Sequence, residues 1–180
     1  MKQVYIFLVI IGLNACASLY NIEPSKPVAI YKRPIEISNS FNLSGRFTIK
    51  TSDKNNYGNF RWSKESSIEE LDLNSPLGQT LVKIVIERGN ANLTTKGQTY
   101  SGEDLDEMML EKLGFTLPLN YLHYWIQGVE IPNELPIEIL PNGFIQLGWR
   151  VEYLEWQDQT HAKIIMCSRE NLIIKLLLDW

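Results

Sequence analysis

Two histidines, two cysteines and one dense run of acids are the residues of this chain with the chemistry of an active site. His123 and His161 fall on different expected elements. Neither has a second histidine or a cysteine at ligand spacing, so a zinc site is not expected. The sequence has no G-x-S-x-G elbow and no glycine-rich phosphate loop. Glu103, Asp104, Asp106 and Glu107 crowd what reads as a helix start, where carboxylates suit the positive end of the helix dipole. Cys167 sits in a β-like run and reads as a small buried hydrophobe. Catalysis needs a nucleophile with a base, paired carboxylates or a metal cluster. The pattern supplies none of these, so no catalytic residue, metal or cofactor is expected, and the reactive position that remains is Cys16.

Cys16 ends a leader-like stretch. Lys2 gives a short positive start, and Val4 to Leu13 is apolar apart from Gly12. That run is about half the ~20 residues needed to span a bilayer as a helix, and it fits the core of a secretory signal. Leu13-Asn14-Ala15-Cys16 resembles the lipobox of bacterial lipoproteins, with Asn14 departing from the usual small or hydroxylated residue. The resemblance implies cleavage before Cys16, a diacylglycerol on its sulfur and an acylated amine. Residue 17 is Ala rather than the Asp that marks inner-membrane retention in such lipoproteins, which points to the outer membrane. An ordinary secretory signal or a buried strand is the competing reading. Residues 1–15 are thus expected to be a signal peptide. Residues 16–39, with Pro24, Pro27 and Pro34, form a lipidated tether or else a segment packed on the body. Residues 40–180 form one domain.

Bulk composition agrees with a single globular unit. The 180 residues are 44% hydrophobic and 21% charged, enough apolar surface for a real core. Seventeen basic and 21 acidic side chains give a net charge of −4, which argues against a nucleic-acid footprint. Five Trp and eight Tyr favour β structure.

Hydrophobic periodicity places the elements. Phe41, Leu43, Gly45, Phe47 and Ile49 alternate with polar residues, a half-buried strand. After a turn at 52–56, the next strand puts Phe60 and Trp62 on one side. Leu71 and Leu73 close a third strand before the turn chemistry of Asn74-Ser75-Pro76-Leu77-Gly78. Strands over 80–87, 91–95 and 99–101 follow, the last two about Lys96-Gly97. Leu105, Met108, Met109 and Leu113 then take helical spacing up to a Gly114 cap. Asn120 is expected to cap a second helix over 121–127, closed by Gly128, with Leu122, Trp125 and Ile126 as its apolar face. Pro141-Asn142-Gly143 reads as a hairpin turn. Trp149, Val151 and Tyr153 alternate, and a final hairpin joins 162–167 to 172–179, with Leu172, Ile174, Leu176, Leu178 and Trp180 on one face. The fold class is mainly β with minor α: one curved antiparallel sheet, open or nearly closed, with helices over its concave side.

Gly45-Arg46-Phe47, Phe60-Arg61-Trp62, Ser75-Pro76-Leu77-Gly78, Leu117-Pro118-Leu119 and Trp125-Ile126-Gln127-Gly128 occur in order behind the lipobox. Gln146-Leu147-Gly148-Trp149-Arg150-Val151, Tyr153 and Leu178-Asp179-Trp180 complete the set. Together they resemble the LolB-type outer-membrane lipoprotein receptors over residues 40 to 180. The resemblance implies an incomplete, half-open β-barrel with helices across its open face and an apolar cavity within. It implies a monomer that takes acylated lipoproteins from a periplasmic carrier of the LolA type and delivers them to the outer membrane, without ATP or cofactor.

Site residues follow on that footing. Phe47, Phe60, Trp62, Leu73, Met109, Leu113, Leu122, Trp125, Ile126 and Trp149 are candidates to line an acyl cavity, or to be plain core, since alternation does not separate the two. Leu77, between Pro76 and Gly78, is expected to point into solvent, where the equivalent loop leucine of the family helps insert cargo; folding back on the core is its alternative. Arg46 and Arg150 are expected to be solvated charges near a rim or a carrier interface. A structural or assembly lipoprotein that binds another protein shares the lipobox and the β pattern, and it is the second reading.

Overall fold

The computed structural model describes residues 30–32 and 37–180. The expected signal, Cys16 and most of the tether lie outside these residues. Eleven strands are described: β1 Phe41–Lys50, β2 Asn55–Glu65, β3 Ile68–Asn74, β4 Thr80–Glu87, β5 Asn90–Thr95, β6 Gln98–Gly102, β7 Glu138–Leu140, β8 Gly143–Gln146, β9 Trp149–Trp156, β10 Ala162–Arg169 and β11 Leu172–Asp179. Two helices, α1 Leu105–Leu113 and α2 Leu119–Trp125, interrupt them. The strands make one antiparallel sheet in the order β6-β5-β4-β3-β2-β1-β11-β10-β9-β8-β7, so β6 and β7 are its two edges. The fold class expected from alternation, an open curved sheet with two helices, is the one observed.

Closing β1 onto β11 joins the two halves of the chain, with Phe47 opposite Leu176 and Ile49 opposite Ile174. All four of these residues are buried. Alternation therefore works as drawn: one face of each strand feeds a single apolar cluster and the other meets solvent. Two glycines of the β1–β2 pair sit where no Cβ would fit. A Cβ on Gly45 would lie 2.0 Å from the Leu177 carbonyl oxygen, and one on Gly58 1.9 Å from that of Asn74. Gly45 faces Phe60 and Gly58 faces Phe47 across the β1–β2 pair. Each bare backbone is thus covered by an aromatic ring from the neighbouring strand.

The helices bridge the opening between the sheet's flanks. α1 begins at Asp104, whose side chain accepts the Glu107 N–H, and ends at Gly114 with φ +82°. Its Met109 is fully buried, and Met108 packs against the same cluster. α2 lies against β9: the Trp125 and Trp149 rings are 5.8 Å apart, and the Tyr153 hydroxyl donates to the Trp125 carbonyl at 2.9 Å.

Three local expectations change. Asn120 is not the cap of α2 but its second residue; the cap position is Pro118, whose carbonyl accepts the Leu122 N–H at 2.7 Å. The early start buries Leu119, which is 4% exposed. Asn55 belongs to β2 rather than to the turn, because the β1–β2 ladder runs out to Lys50–Asn55. Trp180 leaves the inward row of β11: it is 39% exposed, and its Nε1 donates to the Ala162 carbonyl at 2.7 Å.

Within residues 16–39, the described stretch packs on the body. Tyr31 stacks on Tyr153 with centroids 5.2 Å apart and an interplanar angle of 4°. Its hydroxyl donates to the Gly128 carbonyl. Ser38 exchanges two hydrogen bonds with the Gln127 amide, at 2.8 and 3.1 Å.

Candidate functional site

Nine of the ten candidate cavity residues are buried, from Met109, Trp125 and Ile126 at 0% exposure to Leu73 at 5%. The tenth, Leu113, is half-buried and packs on them. They arrive from β1, β2, β3, β9, α1 and the α2 region, so the sheet's concave face and the underside of both helices share one apolar cluster. The side chains fill the space as a core: Phe47 also reaches an outer groove of about 480 Å³, and Trp149 a cleft of about 510 Å³ between the helices and the β10–β11 turn.

Leu77 is the opposite case. It is 98% exposed, in a turn closed by the Gly78 N–H on the Ser75 carbonyl at 2.9 Å and by the Ser75 N–H on the Gln79 carbonyl at 2.8 Å. Gly78 has φ +87°, the left-handed conformation that glycine adopts without penalty. Pro76 and Gly78 thus hold the loop without help from Leu77, whose side chain projects into water. An apolar side chain this exposed costs nothing to remove and contributes nothing to folding.

The remaining reactive groups are dispersed. The His161 ring pairs with Asp158 at 2.8 Å, while His123 contacts the Leu119 carbonyl at 3.3 Å and the Tyr124 ring at 3.9 Å. Burial, then the Lys64 charge, holds the His123 pKa below its ordinary value. Burial alone pushes the Cys167 thiol up, which keeps it protonated and inert. Among the described residues no group of three His, Cys, Asp or Glu gathers as a metal site. Arg46 is exposed on the convex face, and Arg150 pairs with Glu152 at 3.2 Å.

Two glutamines that carried no role in the sequence prove to be the pins of the lid. Gln146 is fully buried. Its Oε1 accepts the Ile131 N–H at 2.9 Å and the Trp125 Nε1–H at 3.4 Å, and its Nε2 donates to the Ile131 and Glu134 carbonyls. Gln127 likewise ties Ser38 to the end of α2 and donates to the His123 carbonyl at 2.9 Å. An amide can donate and accept at once, which suits a backbone segment that has no strand to pair with. The legible signal was a glutamine beside Gly128 and, one residue removed, Gly148.

The family model described as "Outer membrane lipoprotein LolB" matches residues 39–180. The outer-membrane lipoprotein LolB of Neisseria meningitidis is 35% identical over 179 residues, covering 98% of this chain and 89% of that protein. Its namesake in Azoarcus is 31% identical, over 93% of this chain and 88% of that one. That of Shewanella woodyi is 28% identical, over 97% and 86%. With the family model spanning the whole described body, this chain belongs to the LolB family of outer-membrane lipoproteins.

Proposed function

We propose that this chain is the outer-membrane receptor for lipoproteins. It is anchored through Cys16, takes acylated cargo from a soluble carrier, holds the acyl chains between the concave sheet and α1/α2, and inserts them through the Leu77 loop. Residues 1–15 are its signal, 16–39 its lipidated N-terminal segment, which docks on the body through Tyr31 and Ser38, and 40–180 the body that does the work. The observation that carries the reading is the pairing of one continuous apolar cluster, roofed by two short helices, with a leucine held 98% exposed on the same body. The cluster supplies a place for acyl chains out of water, and the leucine supplies a contact with the bilayer. No step needs a nucleophile or an energy source, because transfer between apolar sites is driven by affinity, each ~1.4 kcal/mol being worth a factor of about ten.

Transfer tests it. Vesicles bearing the Cys16-anchored chain are mixed with a LolA-type carrier loaded with labelled, acylated cargo, and floated. Cargo should move to these vesicles and not to bare ones. Cargo that stays on the carrier in both cases refutes the receptor role and favours a scaffold that binds proteins by another surface.

A further inference from the structure

The convex face of the sheet carries a second feature beside the Leu77 loop. Antiparallel pairing sets Arg46 opposite Leu177 and Thr48 opposite Lys175, so Arg46 and Lys175 are diagonal neighbours on β1 and β11. Both line the groove of about 480 Å³, together with Tyr57, Ile164, Leu177 and Pro76 of the Leu77 loop. Tyr57 is 64% exposed. Among the described residues no carboxylate lines this groove. Two cations over an apolar floor, open to solvent, match a phosphate attached to a glycerol and its first methylenes.

The rim agrees. Hairpin connectivity puts the turns at 51–54, 75–79, 96–97, 147–148 and 170–171 at one end of the sheet. That end carries Lys50, Lys54, Lys96 and Arg169 against Asp53, Glu138 and Glu170. The opposite end carries Glu65, Glu87, Glu103, Glu155, Asp158 and Asp179 against Lys32, Lys64, Arg88 and Lys163, while Asp104, Asp106 and Glu107 share a cleft with Arg169 and Glu170. Beside the Leu77 loop, Lys50 and Lys54 flank the neighbouring β1–β2 turn against a single carboxylate, Asp53.

We infer that the Arg46–Lys175 groove binds the phosphate headgroup of an anionic phospholipid in the target bilayer, setting the docked orientation while Leu77 is in the acyl layer. The inference rests on the receptor reading and deepens it, naming the lipid surface the loop meets. With Pro76 lining the groove, a membrane-buried Leu77 brings both cations to the headgroup layer, about 5–8 Å thick on each side of a bilayer. Each cation near an anionic surface contributes about five-fold in partitioning, so the pair contributes about thirty-fold.

The test uses the full, Cys16-anchored chain in vesicles of phosphatidylcholine, or of phosphatidylcholine and phosphatidylglycerol in equal parts. An environment-sensitive dye on Gln79→Cys reports loop burial without altering Leu77; Cys167 is buried and unreactive and Cys16 is acylated. The dye should shift to the blue more strongly with phosphatidylglycerol, and salt should reverse the gain. The exposed double variant Arg46→Gln/Lys175→Gln should lose that gain, the docked fraction falling about thirty-fold relative to undocked. It should melt like the parent, and Arg88→Gln at the far end should behave as wild type. A double variant that keeps the phosphatidylglycerol gain overturns the headgroup site. So does one that docks normally but no longer takes cargo, which assigns the face to the carrier protein. Leu77→Glu separates the two readings: an unchanged blue shift there sinks the loop's role while leaving the charge dependence readable.

Discussion

Leu77→Glu should abolish cargo delivery while leaving the fold untouched, and the structure gives both sizes. The leucine is 98% exposed, and its turn is held by Ser75, Gly78 and Gln79. Replacing it removes no packing, so unfolding free energy should change by no more than about 0.5 kcal/mol, the usual bound for a surface site. In the bilayer the same side chain gains about 1.5–3 kcal/mol on leaving water. A glutamate forfeits that gain and adds a desolvation cost of about 2 kcal/mol, so the loop's insertion weakens by about 4 kcal/mol, on the order of a thousand-fold. Leu77→Ala forfeits only the gain, on the order of thirty-fold. The assay loads the anchored protein from carrier, isolates it and follows labelled cargo into acceptor vesicles, with a thermal melt of each variant alongside. Cargo should load normally, then stall in the order Glu, Ala, wild type. Two results refute the reasoning. Delivery that is unaffected by Glu removes the loop from insertion, and a melting point lowered by several degrees shows that Leu77 is packed.

Gly45→Ala should cost more than about 3 kcal/mol, because its Cβ would meet the Leu177 carbonyl at 2.0 Å where β1 pairs β11. Denaturant titration and soluble yield measure this, and Gly78→Ala, with open space around it but φ +87°, should cost about 1 kcal/mol. Gln146→Leu strips partners from Trp125 Nε1, from both backbone groups of Ile131 and from the Glu134 carbonyl, so it should cost about 3 kcal/mol and lower the melting point by about 10 °C. His123 adds a pH dependence: burial and Lys64 depress its folded pKa, so below about pH 6.5 the unfolded chain binds the extra proton first. Stability conferred by a neutral His123 should therefore hold above that pH and fall below it. His123→Gln should flatten this limb of a stability-against-pH curve, and an unchanged limb would assign it elsewhere.

Where physics is local, the chain was readable. Period-two alternation located β1, and β4 matches its expected span at Thr80–Glu87. Gly114 marked the end of α1 because a left-handed residue there needs no Cβ. The Ser-Pro-Leu-Gly turn declared an outward leucine because proline and glycine already satisfy the backbone. What alternation could not supply is what lies at long range. Arg46 and Lys175 meet because β1 and β11, near opposite ends of the body, become neighbours, and no local pattern encodes that pairing. The Tyr31–Tyr153 stack is of the same kind. The start of α2 was misplaced for a different reason: Asn120 is the better capping side chain, but the need to bury Leu119 outweighs about 1 kcal/mol of cap. Nor does alternation separate core from cavity, since both ask for the same apolar residues on the same face.

That ambiguity is itself informative about how acyl chains would enter. Parting the helices from the sheet uncovers Met109, Leu119, Leu122, Trp125 and Ile126, all at 4% exposure or less. At about 1.5–3 kcal/mol each, opening costs on the order of 10 kcal/mol. Acyl chains handed over from a carrier's apolar site are already out of water, so what offsets this cost is their re-covering of the lid and sheet surface they touch. On the proposed function, the closed cluster keeps that surface covered between cargoes, when an open apolar trough would invite aggregation. The short helices are suited to this exchange. α2 has seven residues and no side-chain cap, so little intrinsic helix stability opposes its displacement. Gln127 ties the end of α2 to Ser38, whereas Gln146 on β8 and Tyr153 on β9 bond Trp125 to the sheet, and those two bonds must break for the roof to lift. On the proposed function, acyl chains and lid side chains would compete for one apolar surface, and the lid would close as the cargo leaves.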